Sequence, residues 1–345
     1  MNPLVLTGRL SLCFFEGFSD ARLHDFSRLG RLWPLGVCAR MLTGIAAGLA
    51  AGALWGLVFV APRMTPGLSS VDLAAGRFIS YGLFAALMMV LAGRSQRLPT
   101  WPQAFMALGM SLLGFTGYYL LLVMAIQDAG TEMPSLIIGT VPIWVMLLGK
   151  PLGLKWSSLV MGLMLTTAGL VLMAVSVSRD SLPPEALANT LVQAPDLLRG
   201  VLMAVAATLC WTAFTLLNAA WLKRHPEVNA TVWANWLGIA TGVGAVLLWW
   251  GAGSSLDVLM ALEGIGRSAL ICVATGIGSA WAATIFWNLA SQRLSPSLCG
   301  QLIVSETLFA LTYSYALDGQ WPTAWPLLAC AFFTLGILAS IRAHR

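Results

Sequence analysis

Apolar residues run in stretches of about twenty along most of this chain, and polar residues gather in the gaps between them. The stretches lack the two-residue alternation of a half-buried strand and the polar stripe of a soluble amphipathic helix. A nearly uncharged run of that length crosses the roughly 30 Å hydrocarbon layer as a helix, because only a helix or a closed barrel satisfies every backbone group without water. The pattern predicts an all-α polytopic membrane protein with ten transmembrane helices. They fall at 43–62, 71–92, 103–126, 133–149, 156–175, 200–222, 231–250, 268–290, 296–317 and 323–341.

Charge supports the same class and adds an orientation. Of the 345 residues 58% are hydrophobic and only 10% charged, against about 25% charged in soluble domains. The net charge of +5 comes from loop arginines and lysines, so it orients the chain and does not mark a nucleic-acid surface. With the N-terminus inside, fourteen Lys and Arg fall on inner segments and four (Arg63, Arg179, Arg199 and Arg267) on outer ones. Without the tail the ratio is still nine to four. Both termini are therefore expected in the cytoplasm of a multi-pass inner-membrane protein. Residues 1–42 read as a cytoplasmic tail of mixed charge with no signal-peptide pattern; Met41 is an alternative start just before the first span. Tryptophans near span ends (Trp101, Trp156, Trp221, Trp249, Trp250, Trp321 and Trp325) are expected at the membrane interfaces.

The spans divide into two sets of five. The first carries glycine at every fourth position, Gly44, Gly48, Gly52 and Gly56, a groove in which two helix backbones approach closely. At an offset of 156 residues the sixth span has Gly200, Ala204, Thr208 and Thr212, and Trp55 falls on Trp211. Five spans is an odd number, so the second set enters the membrane in the opposite sense. The fold expected is two inverted five-helix repeats, 43–175 and 200–341, joined by an extracytoplasmic linker 176–199.

At this point the chain resembles the EamA-type exporters of the drug/metabolite transporter superfamily. The resemblance covers about residues 43–341 and rests on AGALWG at Ala51–Gly56, AAGRF at Ala74–Phe78, GTEMPSLIIGTVP at Gly130–Pro142 and LSPSLCGQLIVSE at Leu294–Glu306. It implies a secondary transporter that exports small metabolites, with amino acids the leading class. Two features depart from the family. Thr307 stands where the ninth span commonly has proline, and Lys150 and Gln320 stand where a loop glutamate is frequent.

Glu306 is the most informative residue. It lies about ten residues into its span, about 15 Å deep at 1.5 Å per residue. A carboxylate there costs several kcal/mol unless it is protonated, paired or beside water. It is read as a proton-titrating or amine-binding group, or else as a structural carboxyl bonded to neighbouring helices. Arg77 is read as a gate or carboxylate-binding group, or as an anchor paired to Asp72. Pro142 interrupts the fourth span and frees a carbonyl. Trp55, Trp211, Trp281 and Tyr119, with Trp144, Trp287 and Tyr118, are candidate cavity walls. Gln301 is a candidate polar contact, with Asn288, Ser305 and Thr307. Each of these also reads as ordinary helix packing.

Other chemistries find little support. There is no GxxxxGK[ST] loop for ATP. The six cysteines form no CxxC pair, and the histidines fall in tails or loops, so no catalytic residue, metal or cofactor is expected. The expected partners are a small-molecule substrate and the lipid bilayer, with a homodimer possible and no nucleic acid. A nucleotide-sugar or organophosphate exchanger is the alternative within transport, and Arg77 alone supplies too few cations for it. A membrane-embedded enzyme or a non-transporting scaffold are the rivals outside transport.

Overall fold

The computed structural model describes residues 29–93, 98–129, 132–181, 197–319 and 321–344, and within them every apolar run is helical with no strand. Most of the N-terminal tail, the centre of the linker, Gly130, Thr131 and Gln320 lie outside the described residues. Residues 1–40 form a unit of their own; the bundle is Met41–Arg345.

The helices are α1 (Leu29–Gly56), α2 (Ala61–Met64), α3 (Ser70–Ala92), α4 (Trp101–Gly114), α5 (Thr116–Ala129), α6 (Glu132–Gly139), α7 (Val141–Leu148) and α8 (Trp156–Ser181). They continue with α9 (Leu197–Arg224), α10 (Ala230–Ala252), α11 (Leu256–Ala261), α12 (Ile265–Thr275), a π-helical segment Gly276–Ala282, α13 (Ala283–Arg293), α14 (Pro296–Asp318) and α15 (Ala324–Ala343). Their starts have local causes. The side chains of Ser69, Asn229 and Ser295 each accept a backbone N–H in the first turn of α3, α10 and α14. Gly319, at φ 63°, ends α14 in the left-handed conformation that glycine adopts freely. Three boundaries differ from those expected. α1 begins at Leu29, before position 43, and the linker is shortened by α8 running to Ser181 and α9 starting at Leu197.

Eight helices among the described residues are long and apolar enough to cross a membrane, which makes this a polytopic helical membrane protein. The other two expected spans differ in instructive ways. Segment 133–149 is not one helix: α6 and α7 meet at Thr140, where Pro142 has no N–H for the carbonyl of Ile138. The Thr140 hydroxyl donates back to the Ile137 carbonyl at 2.6 Å, giving the turn a donor of its own. Segment 296–317 is one helix of 23 residues, but Gln301, Ser305, Glu306 and Thr307 make it less apolar than the eight.

Small residues let the helices approach closely. α3 crosses α10 where a Cβ on Gly82 would lie 2.7 Å from Gly242 Cα. α8 meets α15 at Gly169 against Phe333 and at Gly336 against Thr166. The glycine stripe of α1 faces α14: a Cβ on Gly44 would meet Leu294 at 2.8 Å, on Gly48 Leu302 at 2.6 Å, and on Gly56 Ala310 N at 2.9 Å. On Gly52 it would strike the Ser305 hydroxyl and lie 3.1 Å from Glu306 N. Of the tryptophans expected at interfaces, Trp101, Trp156, Trp250, Trp321 and Trp325 are exposed. Trp221 is not; it is sandwiched between His225 and Trp233 with ring centroids 4.3 and 3.8 Å away.

Candidate functional site

Arg77 and Glu306 come from different halves of the sequence. Arg77 is two turns into α3, and Glu306 is halfway along α14. Each is half-buried. They lie within electrostatic reach of one another and of Tyr118, but not in direct ion-pair contact; Arg77 also feels Tyr119. The guanidinium carbon of Arg77 sits 4.5 Å from the Phe78 ring centroid, a cation–π contact. Its Nε is buried and has no hydrogen-bond partner.

The suggested pairing of Arg77 with Asp72 is not present. Asp72 accepts from Ser254 N at 2.8 Å, Ser254 Oγ at 2.7 Å and Ser69 Oγ at 2.6 Å, which uses its carboxylate at the mouth of α3. The reason is helix geometry. Asp72 and Arg77 are five residues apart, about 500° around the helix and so well away from a shared face, whereas i,i+4 neighbours stack. The ion pairs that do form, Arg63 with Asp318 and Arg199 with Asp128, tie segment ends together.

Aromatic rings cluster near the two charges, reaching them through Phe78 and Tyr118. Trp55 of α1 meets Trp211 of α9 edge-on at 5.8 Å and Trp287 of α13 at 5.3 Å. Tyr118 lies 5.2 Å from Trp211, and Phe214 5.4 Å from it. Phe78 contacts Phe115 at 5.9 Å and Tyr119 at 6.1 Å, and the Tyr119 hydroxyl donates to the Ser70 carbonyl at 2.5 Å. This belt joins elements of both halves with rings whose edge-to-face contacts are each worth about 0.5–1.5 kcal/mol beyond burial.

Two irregular segments bring the belt to the charges. The third apolar run breaks at Phe115, between α4 and α5, which sets Phe115 among Phe78, Tyr81 and Phe214. The eighth carries the π-helical turn, a form that recurs at functional sites. It abuts α3 directly behind Arg77: a Cβ on Gly276 would lie 2.6 Å from the Arg77 carbonyl oxygen.

The remaining candidates separate from this site. Gln301 is fully buried in a hydrogen-bonded clamp with Thr166 at 2.8 Å and Ser340 at 3.1 Å, which ties α14 to α8 and α15. Trp281 donates to Asn235 at 2.7 Å and packs on Phe84 at 5.0 Å. Trp144 is exposed and donates to Thr140. Pro142 is buried at the α6–α7 break. Asn288 accepts from Asn218 and donates to the Ala230 carbonyl in a buried network. Lys150 bonds the Leu154 carbonyl and lies 5.0 Å from the Trp156 ring, so it organises its own turn.

Similarity to known proteins agrees with this architecture. Residues 42–178 match the EamA-like transporter family. The chain is 28% identical over 318 residues to "Inner membrane protein YtfF" of Escherichia coli (strain K12), covering 88% of this chain and 96% of that one. The chain is thus similar to EamA-like transporters over its first half and to that inner membrane protein over most of its length. A solved crystal structure of a protein at 20% identity is similar with a TM-score of 0.68, over 86% of this chain and 97% of that one, and supports the fold alone.

The sequence pattern singled out Arg77, Glu306, Trp55, Trp211 and Tyr119 and missed others. Phe78, Phe115 and Phe214 read as ordinary apolar positions. Phe214 carried a usable signal: it stands three residues from Trp211, one turn along the same helix face. The π-helical turn carried none, because glycine and small residues at 276–280 are common in any membrane helix.

Proposed function

We propose that this protein is a secondary transporter of a bacterial-type inner membrane that exports small metabolites, amino acids leading, by alternating access. The observation that carries the reading is a guanidinium and a carboxylate, Arg77 and Glu306, within electrostatic reach of each other, with an aromatic belt drawn from both halves nearby. A carboxylate and a guanidinium at that depth are costly beside lipid and tolerable beside water or solute. The inner-membrane setting follows the description of the Escherichia coli relative, and cytoplasmic termini follow the Lys and Arg bias. The direction and the amino-acid class follow the family resemblance.

Ten crossings in two inverted repeats are the architecture we infer, and helix packing supports it. α3 packs on α10, α7 on α14 and α8 on α15, pairs that map onto themselves when the halves are exchanged. The packing of α4 on α10 has its counterpart in α3 on α12, and that of α6–α7 on α9 in α1 on α14. Trp55 and Trp211, related by the 156-residue offset, contact each other. Such an exchange symmetry is what rocking of one bundle against the other about a central site requires.

Glu306→Gln tests the reading. It keeps shape and hydrogen bonding but cannot ionise. In liposomes assayed against a panel of metabolites, with and without a pH gradient, the variant should lose at least about tenfold in flux. Its expression and thermal stability should match the parent. Full flux with an unchanged pH profile would make Glu306 a structural carboxyl.

A further inference from the structure

We infer that the groove where α4 begins and α9 ends holds one anionic phospholipid, its phosphate on Arg224 and an acyl chain along Met106, Leu217 and Ala220. The inference goes beyond the transporter reading and does not depend on what the protein carries.

The groove follows from how the two helices pack. Where α4 ends, Gly114 admits Phe214 of α9: a Cβ on Gly114 would lie 2.5 Å from the Phe214 ring. Toward the start of α4 and the end of α9 the facing residues are Met106, Met110 and Leu217, whose long side chains keep the helices apart. They leave a cleft of about 350 Å³, at the lower end of the roughly 300–1,000 Å³ of ligand clefts. Its polarity is graded along the helices. Gln103, Arg224 and His225 line it at the helix ends, and the apolar Met110 and Leu217 lie further into the span. From Gln103 to Met110, and from Arg224 back to Leu217, the rise is about 10 Å at 1.5 Å per residue. Trp101, exposed at the start of α4, marks the head-group level. A slot that is polar at that level and apolar below has the profile of a phospholipid laid along the helices.

Charge selects the lipid. Among the described residues Arg224 makes no hydrogen bond or ion pair. Its neighbour Lys223 is committed elsewhere, donating to the Leu294 carbonyl at 2.7 Å. His225 stacks on Trp221 with ring centroids 4.3 Å apart, and its Nδ1 donates to the Trp221 carbonyl at 2.9 Å, which leaves Nε2 as the edge open to a head group. No acid lines the cleft among the described residues; Glu227 is exposed in the turn beyond. One guanidinium without a carboxylate partner fits a head group with one net negative charge, and guanidinium meets phosphate through charge-assisted bonds. The Lys and Arg bias assigns this end of α4 and α9 to the cytoplasmic leaflet, where basic pockets between helices take anionic head groups.

The test uses full-length protein in detergent with equal amounts of two probes, dioleoyl phosphatidylglycerol and dioleoyl phosphatidylcholine. Native mass spectrometry reads the ratio of the two in the first bound-lipid peak of one sample, so differences in yield cancel. The parent should favour phosphatidylglycerol about fivefold, the scale of one basic group at a membrane surface. Arg224→Gln should abolish the preference. Arg342→Gln, which removes an exposed arginine at the end of α15, should leave it intact. Ala220→Phe and Met106→Trp each fill the groove and should remove the first bound lipid of either kind. No preference in the parent, an equal loss in Arg342→Gln, an unchanged preference in Arg224→Gln or an undiminished lipid peak in both filling variants overturns the assignment. So does a lipid-free dimer of the parent that Ala220→Phe dissociates, which would give the groove to a second copy of the chain.

Discussion

Segments 133–149 and 296–317 pack against each other and are built in opposite ways. The first is broken at Thr140, with Pro142 at the start of α7. The second is the unbroken α14 and carries Glu306 at its middle. They touch at their ends, where Ser297 N donates to the Gly149 carbonyl at 3.1 Å, and along Gly300, whose Cβ would lie 2.7 Å from Val145. α14 holds Glu306 on a rigid mount: the α1 glycines clamp one side and the Gln301 clamp the other. The broken segment has a turn at Thr140 and a proline that offers no N–H, the features of an element that can flex.

The comparison can be broken most forcefully by giving α14 the proline it lacks. Thr307→Pro removes an N–H from mid-helix and drives its ring at the Ile303 carbonyl, costing about 3 kcal/mol or more. Little folded protein should survive size-exclusion chromatography. A stable, active variant would mean that α14 does not need continuity beside Glu306.

A smaller loss is expected on removing the mount. Gly52→Leu places a branched side chain against Ser305 and the Glu306 backbone, and overpacking costs about 1–3 kcal/mol. Ala46→Leu adds similar bulk on the exposed face of the same helix and should be nearly silent. Melting in detergent distinguishes them: equal melting temperatures would detach α1 from α14.

Pro142→Ala sharpens the other side of the comparison. It supplies the missing N–H to the Ile138 carbonyl, so the melting temperature should hold or rise. Flux should fall severalfold if the break serves movement, by about 1 kcal/mol in the barrier. Unchanged flux would assign the break to packing alone.

The least effect is expected from the tail. Deleting residues 1–28 leaves α1 whole from Leu29 and should change neither insertion nor flux. Loss of the folded protein, seen as absence from the membrane fraction, would give the tail a structural role.

The chain alone determined the class, the helical runs and the place of Glu306 midway along one of them. Hydrocarbon imposes a length and an absence of charge that any reader can count, and a lone acid in such a run stands out by its cost. It also exposed the glycine stripe, since a period of four marks one helix face. What it left undecided is which faces meet. Arg77 and Asp72 are five residues apart, and proximity in sequence suggested a pair; their directions on α3 send one to Ser254 and the other toward Glu306, 229 positions away. Gln301 and Glu306 share a helix and a polar character, yet rotation about α14 places one in a buried clamp and leaves the other half-buried within electrostatic reach of Arg77. In lipid, apolar side chains are nearly equivalent outside and inside the bundle, so hydropathy cannot rank the faces of a helix. Only the packing of the helices, set by glycine contacts, a proline break and a π-helical turn, brought Arg77 within electrostatic reach of Glu306.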